Sequence, residues 1–240
     1  MIRRFAPAPF LVLEGPDGVG KTTLRKALFH RFALQGAQPL VFNGNAWTDL
    51  ASTEVLTRAR FLGKVYPEPE LIRAFVRDRE ELGHRFIAPN RGKVPILCDR
   101  YLLSDLIYGA MTLGLSAAKL AAAYVQAALP EPDAVLILQA PFECAAERLI
   151  ARGRAAHVWE EPNLQKRIHA GYHSLGETAR LGWGCPIIRL DNIGSPSELT
   201  EAAWRAIHSA GVQLPPSQTA SGQNATHPDS SSEHPLKSED

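Results

Sequence analysis

Gly15, Gly20, Lys21 and Thr22 stand at the spacing G-x-x-x-x-G-K-[ST], within the stretch Phe10-Leu-Val-Leu-Glu-Gly-Pro-Asp-Gly-Val-Gly-Lys-Thr-Thr23. Residue types in that order suit a polyphosphate. Glycines, Gly18 among them, let the backbone curl until successive N–H groups converge on one anion, and a helix opening at Lys21-Thr22-Thr23 adds the positive end of its dipole. Lysine is a charge long enough to reach between β- and γ-phosphates, and the Thr22 hydroxyl is an oxygen ligand suited to Mg²⁺. A plain Gly-rich turn would use similar residues, but an apolar strand before and a helical pattern after are the context a phosphate loop requires. A second pair, Asp99-Arg100, follows the apolar run Ile96-Leu-Cys98. A carboxylate at the carboxyl end of a buried strand can hold Mg²⁺ beside a triphosphate. For the dipeptide taken alone, a structural ion pair is an equal alternative.

Elements that must position these groups can be read from periodicity. Leu24, Leu28 and Phe32 recur every fourth residue and predict a helix ending near Gly36. Apolar runs at Phe10–Leu13, Pro39–Phe42, Ile96–Cys98, Ala134–Leu138 and Pro186–Leu190 predict five strands. Helical patterns fall between them, over 52–62, from about 68 to 86, over 104–129 with a division near Gly114, over 142–152 and over 164–181. A last helix over 197–210 has Ser197 as its expected cap. Strands alternating with helices argue an α/β fold, a parallel sheet with helices on both faces. Beyond Val212 the residues are nearly all polar, too poor in apolar groups to offset ordering entropy, so 213–240 is expected as a disordered tail after one domain over 1–212.

Composition limits the partners. A chain of 240 residues, 45% hydrophobic and 21% charged, is that of a globular protein, and a net charge of +1 gives no electrostatic reason to expect nucleic acid or a membrane surface. Cys98, Cys144 and Cys185 are odd in number and lack metal-ligand spacing, which points to a reducing, cytoplasmic setting. Arg3 and Arg4 are followed only by a short apolar strand, interrupted by Pro7 and Pro9, unlike an export signal.

Several longer motifs carry a family resemblance. The loop Glu14-Gly-Pro-Asp-Gly-Val-Gly-Lys-Thr-Thr23, the helix Leu71-Ile-Arg-Ala-Phe-Val-Arg-Asp-Arg79, the D-R-Y-x-x-S-x-x-x-Y run from Asp99 to Tyr108 and the stretch Glu147-Arg-Leu-Ile-Ala-Arg152 resemble those of thymidylate kinases, over roughly residues 9–208. The resemblance implies a P-loop kinase with a five-stranded parallel sheet and a lid at about 150–163. It implies ATP-dependent phosphorylation of a pyrimidine deoxynucleoside monophosphate, dTMP above all, with Mg²⁺ and in a homodimer. By resemblance Lys21, Asp99, Arg100, Arg152 and Arg154 are catalytic, with Thr22 and Asp99 on the metal. Gly15, Gly18, Gly20, Thr22, Thr23 and Arg148 would bind ATP beside Lys21. Asp17 would meet the acceptor's 3′-hydroxyl, Phe75 its base ring and Arg79 a base carbonyl, while Tyr108 would underlie the sugar and Arg100 would hold the acceptor phosphate.

Departures from the family pattern are expected to matter too. Asn43-Gly-Asn-Ala-Trp47 carries no charge where members have an acidic or arginine-bearing element, and His157-Val-Trp-Glu160 replaces the lid's D-R-x-E. Gly109 stands where a Gln is common, Gln139 where an acid is expected, and Gly18 where some members carry an arginine. Arg58 or Arg60 is a candidate for the lost acceptor-phosphate grip. Two alternatives stay open: a kinase for a nucleoside or modified pyrimidine nucleotide, and a non-catalytic nucleotide-binding relative.

Overall fold

In the computed structural model, which describes residues 8–44, 48–151, 161–178, 181 and 183–214, the five apolar runs become five strands. These are β1 (Phe10–Glu14), β2 (Leu40–Asn43), β3 (Ile96–Asp99), β4 (Ala134–Gln139) and β5 (Ile187–Asp191). They pair in the order β2-β3-β1-β4-β5, every pair parallel. β1 therefore lies in the middle of the sheet, and the chain reverses its direction of strand addition beside it. That switch point opens a crevice at the strands' carboxyl ends, where α/β sheets bind ligands.

Side chains alternate across the pleat, so each strand feeds two cores. Phe10, Val12, Ile96, Cys98, Val135 and Ile137 join one buried cluster, and Leu11, Leu13, Leu97, Leu136 and Leu138 join the other. Both faces are covered, which is why the strands read as continuous apolar runs rather than alternating ones. Each fully buried Leu or Val contributes roughly 1.5–3 kcal/mol.

Helices α1 (Lys21–Leu34) and α8 (Pro196–Ser209) cover the second cluster, with Phe32 and Trp204 meeting edge to face at 5.2 Å. The other face carries α2 (Leu50–Phe61), α3 (Glu68–Leu82), α4 (Leu102–Leu113), α5 (Ala117–Gln126) and α7 (Pro162–Thr178). The short α6 (Phe142–Ile150) follows β4.

Local chemistry moves some boundaries from their expected places. α3 does not run on to Phe86 as an α-helix but passes into a π-helical turn, Gly83–Ile87, where Gly83 abuts the Pro130 ring. α2 starts at Leu50 because Asp49 caps it, accepting from the Ser52 N–H at 2.9 Å. The cap of α8 is Ser195, not Ser197: Ser195 and Glu198 form a reciprocal capping box, and Pro196 takes the first helical position. Leu214, two residues into the expected tail, packs against the second core; 215–240 lie outside the described residues. No helix of the described residues is long and apolar enough to cross a membrane.

Candidate active site

The phosphate loop joins β1 to α1 through tight backbone contacts. Gly18, with φ +82°, lies so close to α6 that a Cβ there would fall 2.3 Å from the Ala145 carbonyl oxygen. An arginine at this position is therefore excluded by backbone, which cannot yield as a side chain could. Lys21, almost fully buried, donates from Nζ to the carbonyl oxygens of Gly15 (2.8 Å) and Pro16 (2.6 Å). Burial, reinforced by the Arg100 charge, lowers the Lys21 amine to about 7 against the pull of Asp17, Asp99 and Glu14. Thr22 and Thr23 are exposed at the mouth of the loop, in the first turn of α1.

Beside the loop stands a buried polar network that the Asp99–Tyr108 run supplies. Arg100 takes a positive φ of 73°, a conformation sparsely used by side-chain-bearing residues. Its guanidinium lies under the loop: Nη1 donates to the Gly15 carbonyl (3.0 Å), Ser104 Oγ (3.1 Å) and the Tyr172 hydroxyl (3.1 Å), and Nη2 to Asp17 Oδ1 (2.5 Å). Burial opposes the charge, but Tyr108, Asp17 and their neighbours outweigh it and hold Arg100 protonated. Asp17 also accepts from the Tyr108 hydroxyl at 3.0 Å and lies 4.0 Å from Lys21 Nζ. Although burial works to raise it, those two cations and the hydrogen bonds keep the Asp17 carboxyl well below the usual carboxylate range. Asp17, Lys21, Arg100 and Tyr108, 91 residues apart at the extremes, thus converge on one spot.

Asp99, at the carboxyl end of β3, is nearly buried and 3.9 Å from Arg25 Nε. Glu14, the last residue of β1, is the network's hidden anchor. Fully buried, it accepts from Tyr101 N (2.8 Å), Ser104 N (3.2 Å), Ser104 Oγ (2.5 Å) and the Tyr172 hydroxyl (3.0 Å). It thereby fixes the start of α4, which has no side-chain cap of its own at Tyr101. Burial raises its carboxyl above the ordinary value.

The base-side candidates are placed differently. Phe75 is buried in the core, and the Arg60 guanidinium lies over its ring at 5.1 Å. Arg79 is equally buried and grips Asp105 with two parallel bonds, Nε to Oδ2 at 2.6 Å and Nη2 to Oδ1 at 2.8 Å, while Nη1 donates to Asp78 at 3.2 Å. Burial acts against the charge, but the Asp105 carboxylate prevails and raises the Arg79 pKa. Three of its N–H groups are thus directed at protein carboxylates. Of the two candidate replacements for the acceptor-phosphate grip, Arg58 pairs with Glu54 at 2.8 Å on an exposed face, and Arg60 is turned inward onto Phe75.

On the donor side, Arg148 donates from Nη2 to the Asn192 carbonyl at 3.2 Å, and its Nη1 is buried with no acceptor among the described residues. A cavity of 560 Å³ lies beside the loop, bounded by Pro16, Phe142, His169, Tyr172, Asp191 and Ile193. His169, half-buried there, is lowered by burial and then by the Lys21 charge. Arg152, Arg154 and His157–Glu160 lie outside the described residues, as do 45–47.

Glu14, Asp105, Tyr172, His169 and Asn192 were not singled out from the sequence. For Glu14 a signal existed, since an ionisable residue ending a wholly apolar strand must find buried partners. The others meet the site only through the fold.

A phosphate loop on the central strand of a parallel sheet, with a carboxylate ending the adjacent strand, defines a P-loop nucleotide-binding protein. The family model described as "Thymidylate kinase" matches residues 13–183. The thymidylate kinase of Synechococcus sp. (strain JA-2-3B'a(2-13)) is 30% identical over 204 residues, 82% of this chain and 93% of that protein. That of Mycobacterium tuberculosis (strain ATCC 25618 / H37Rv) is 31% identical, over 72% and 87% of the two chains. That of Pseudomonas fluorescens (strain SBW25) is 35% identical over 60% and 70%. The chain belongs to the thymidylate kinase family.

Proposed function

We propose that the protein transfers the γ-phosphoryl group of ATP to dTMP. The observation that carries this is the convergence of Asp17, Lys21, Arg100 and Tyr108 beside the phosphate loop. Loop N–H groups, Lys21 and Arg148, whose buried Nη1 has no acceptor among the described residues, take the donor. Gly15, Gly18 and Gly20 let the loop backbone close on it. Thr22 and Asp99 supply one hydroxyl and one carboxylate, an oxygen donor set that fits Mg²⁺, an ion that fills the rest of its octahedron from phosphates and water. Mg²⁺ held there would supply charge neutralisation between the β- and γ-phosphates.

Arg100 then exchanges its Asp17 and Gly15 contacts for the acceptor phosphate, whose planar bidentate recognition suits a guanidinium. Asp17 accepts a hydrogen bond from the 3′-hydroxyl, and Tyr108 packs beneath the sugar. The acceptor phosphate is itself a nucleophile with a second pKa near 6, so no general base is needed. Alignment and charge neutralisation carry the step, with Arg152 and Arg154 completing the charge on the transferring group.

The base side supports a second acceptor. With Arg79 bound to Asp105 and Arg60 on the Phe75 ring, Phe75 and Arg79 meet thymine only after Arg60 and Arg79 shift. A modified pyrimidine nucleotide that accepts the present arrangement is the alternative. Coupled ADP release across the deoxynucleoside monophosphates and thymidine, with Lys21→Ala as blank, decides. Fastest turnover on dTMP is expected; turnover on thymidine alone, or none, overturns the assignment.

Homodimerisation and a cytoplasmic location belong to the same proposal. The exposed Leu50, Phe61 and Leu62 of and beside α2 support the first, and three cysteines without a disulfide the second.

A further inference from the structure

The turn after β5 reaches across β4 to the phosphate loop and ends in one buried amide, Asn192. Three bonds meet on this residue. Its backbone N–H donates to the Gln139 carbonyl at the end of β4 (2.8 Å), and its backbone carbonyl accepts from Arg148 Nη2 on α6 (3.2 Å). Its side-chain Nδ2 donates to the Val19 carbonyl within the phosphate loop at 2.8 Å. Asn192 is 8% exposed.

The Val19 contact has a geometric consequence. In a trans peptide the C=O and the following N–H point in opposite directions. A Val19 carbonyl held outward by Asn192 fixes the Gly20 N–H inward, toward the anion the loop is built to take. A buried carbonyl left without that donor would gain by rotating to find another, turning the Gly20 N–H away. The fit is close on both sides. Gly20 has φ +97°, and a Cβ on it would lie 2.4 Å from Asn192 Nδ2, so the amide sits where a side chain at residue 20 would be.

We propose that Asn192 is a positioning residue for nucleotide binding, its side chain holding the Val19–Gly20 peptide with its N–H turned into the phosphate loop while its backbone carbonyl seats Arg148 beside it. It acts through the loop and Arg148 rather than by touching the reacting atoms. The element before α8 thus takes part in ATP recognition without supplying a charge. The residues that contact the acceptor are not involved, so the donor and acceptor sites respond differently to its loss. That difference separates positioning from general structural support.

The test rests on donor binding alone and stands whether or not dTMP is the acceptor. ADP affinity is measured by equilibrium titration of the full chain for the wild type, Asn192→Asp and Asn192→Ala. Asn192→Asp keeps the shape and replaces the donor by an acceptor facing the Val19 carbonyl. Expected is about tenfold weaker ADP binding in both Asn192 variants, the effect of roughly 1.4 kcal/mol. Titration with dTMP, or with whichever monophosphate the protein turns over, should change by less than about twofold in Asn192→Asp. The proposal is overturned if Asn192→Asp binds ADP as the wild type does, or if donor and acceptor affinities fall together.

Discussion

Lys21 shows how a single residue can be legible in sequence and still be changed by its surroundings. Its spacing from Gly15 and Gly20 announces a phosphate ligand, but nothing in the sequence says that the free protein buries the amine and lowers it to about 7. The sign follows directly. A lysine whose folded pKa lies below its unfolded value of about 10.4 destabilises the fold fully below pH 7, and the cost fades as pH rises from 7 toward 10. Polyphosphate binding reverses the effect, because its negative charge favours the ammonium form. At pH 8 nucleotide binding should therefore take up most of one proton. Calorimetry of ADP binding in two buffers of different ionisation enthalpy reads that number. Wild type should show uptake and Lys21→Ala little or none; equal proton counts in the two proteins would show that Lys21 is already charged when free.

At the scale of elements, caps and boundaries were the least legible part of the chain. Ser197 and Ser195 both precede an apolar pattern, and both lie near Pro196. Only the structure shows that Ser195 exchanges hydrogen bonds with Glu198, whose side chain returns to the Ser195 N–H at 2.8 Å. Ser195→Ala should cost about 1 kcal/mol of unfolding free energy, whereas Ser197→Ala should stay within about 0.5 kcal/mol. Urea denaturation of the two variants checks the assignment, and a larger loss at Ser197 would reverse it. The π-helical turn after α3 had no periodic signature either; it opens at Gly83, which abuts Pro130, 47 residues later in the chain.

Across the whole molecule, a buried charge network ties the helices of one face together. Asp105 on α4 accepts from Arg79 on α3 and from Tyr124 on α5 (2.9 Å), while Asp78 accepts from the backbone of Thr48 and Asp49 ahead of α2. Such a pair adds little net stability over an apolar substitute, but losing one partner strands a buried charge. Asp105→Ala should therefore destabilise the protein by about 3–5 kcal/mol. Thermal and urea unfolding would measure it, and a loss under about 1 kcal/mol would mean that Arg79 is solvated or re-paired.

The phosphate loop, Asp99-Arg100-Tyr101 and all five strands could be read directly, because each is a local pattern: fixed spacings, apolar runs, and turns between them. The strand limits moved by a single residue, and the face α1 buries, Leu24, Leu28 and Phe32, followed from its period of about 3.6. Partners across the fold could not be read this way. Arg79 is separated from Asp105 by 26 residues and Val19 from Asn192 by 173, and periodicity tells which way a side chain faces, not what it meets. Those meetings are decided by strand order. Because β1 sits between β3 and β4, Arg100 arrives beneath the loop from one side and Asn192 reaches over it from the far side of β4. By itself the sequence determined that this chain binds a nucleotide phosphate; only the tertiary structure decided which side chains hold that loop in its binding shape.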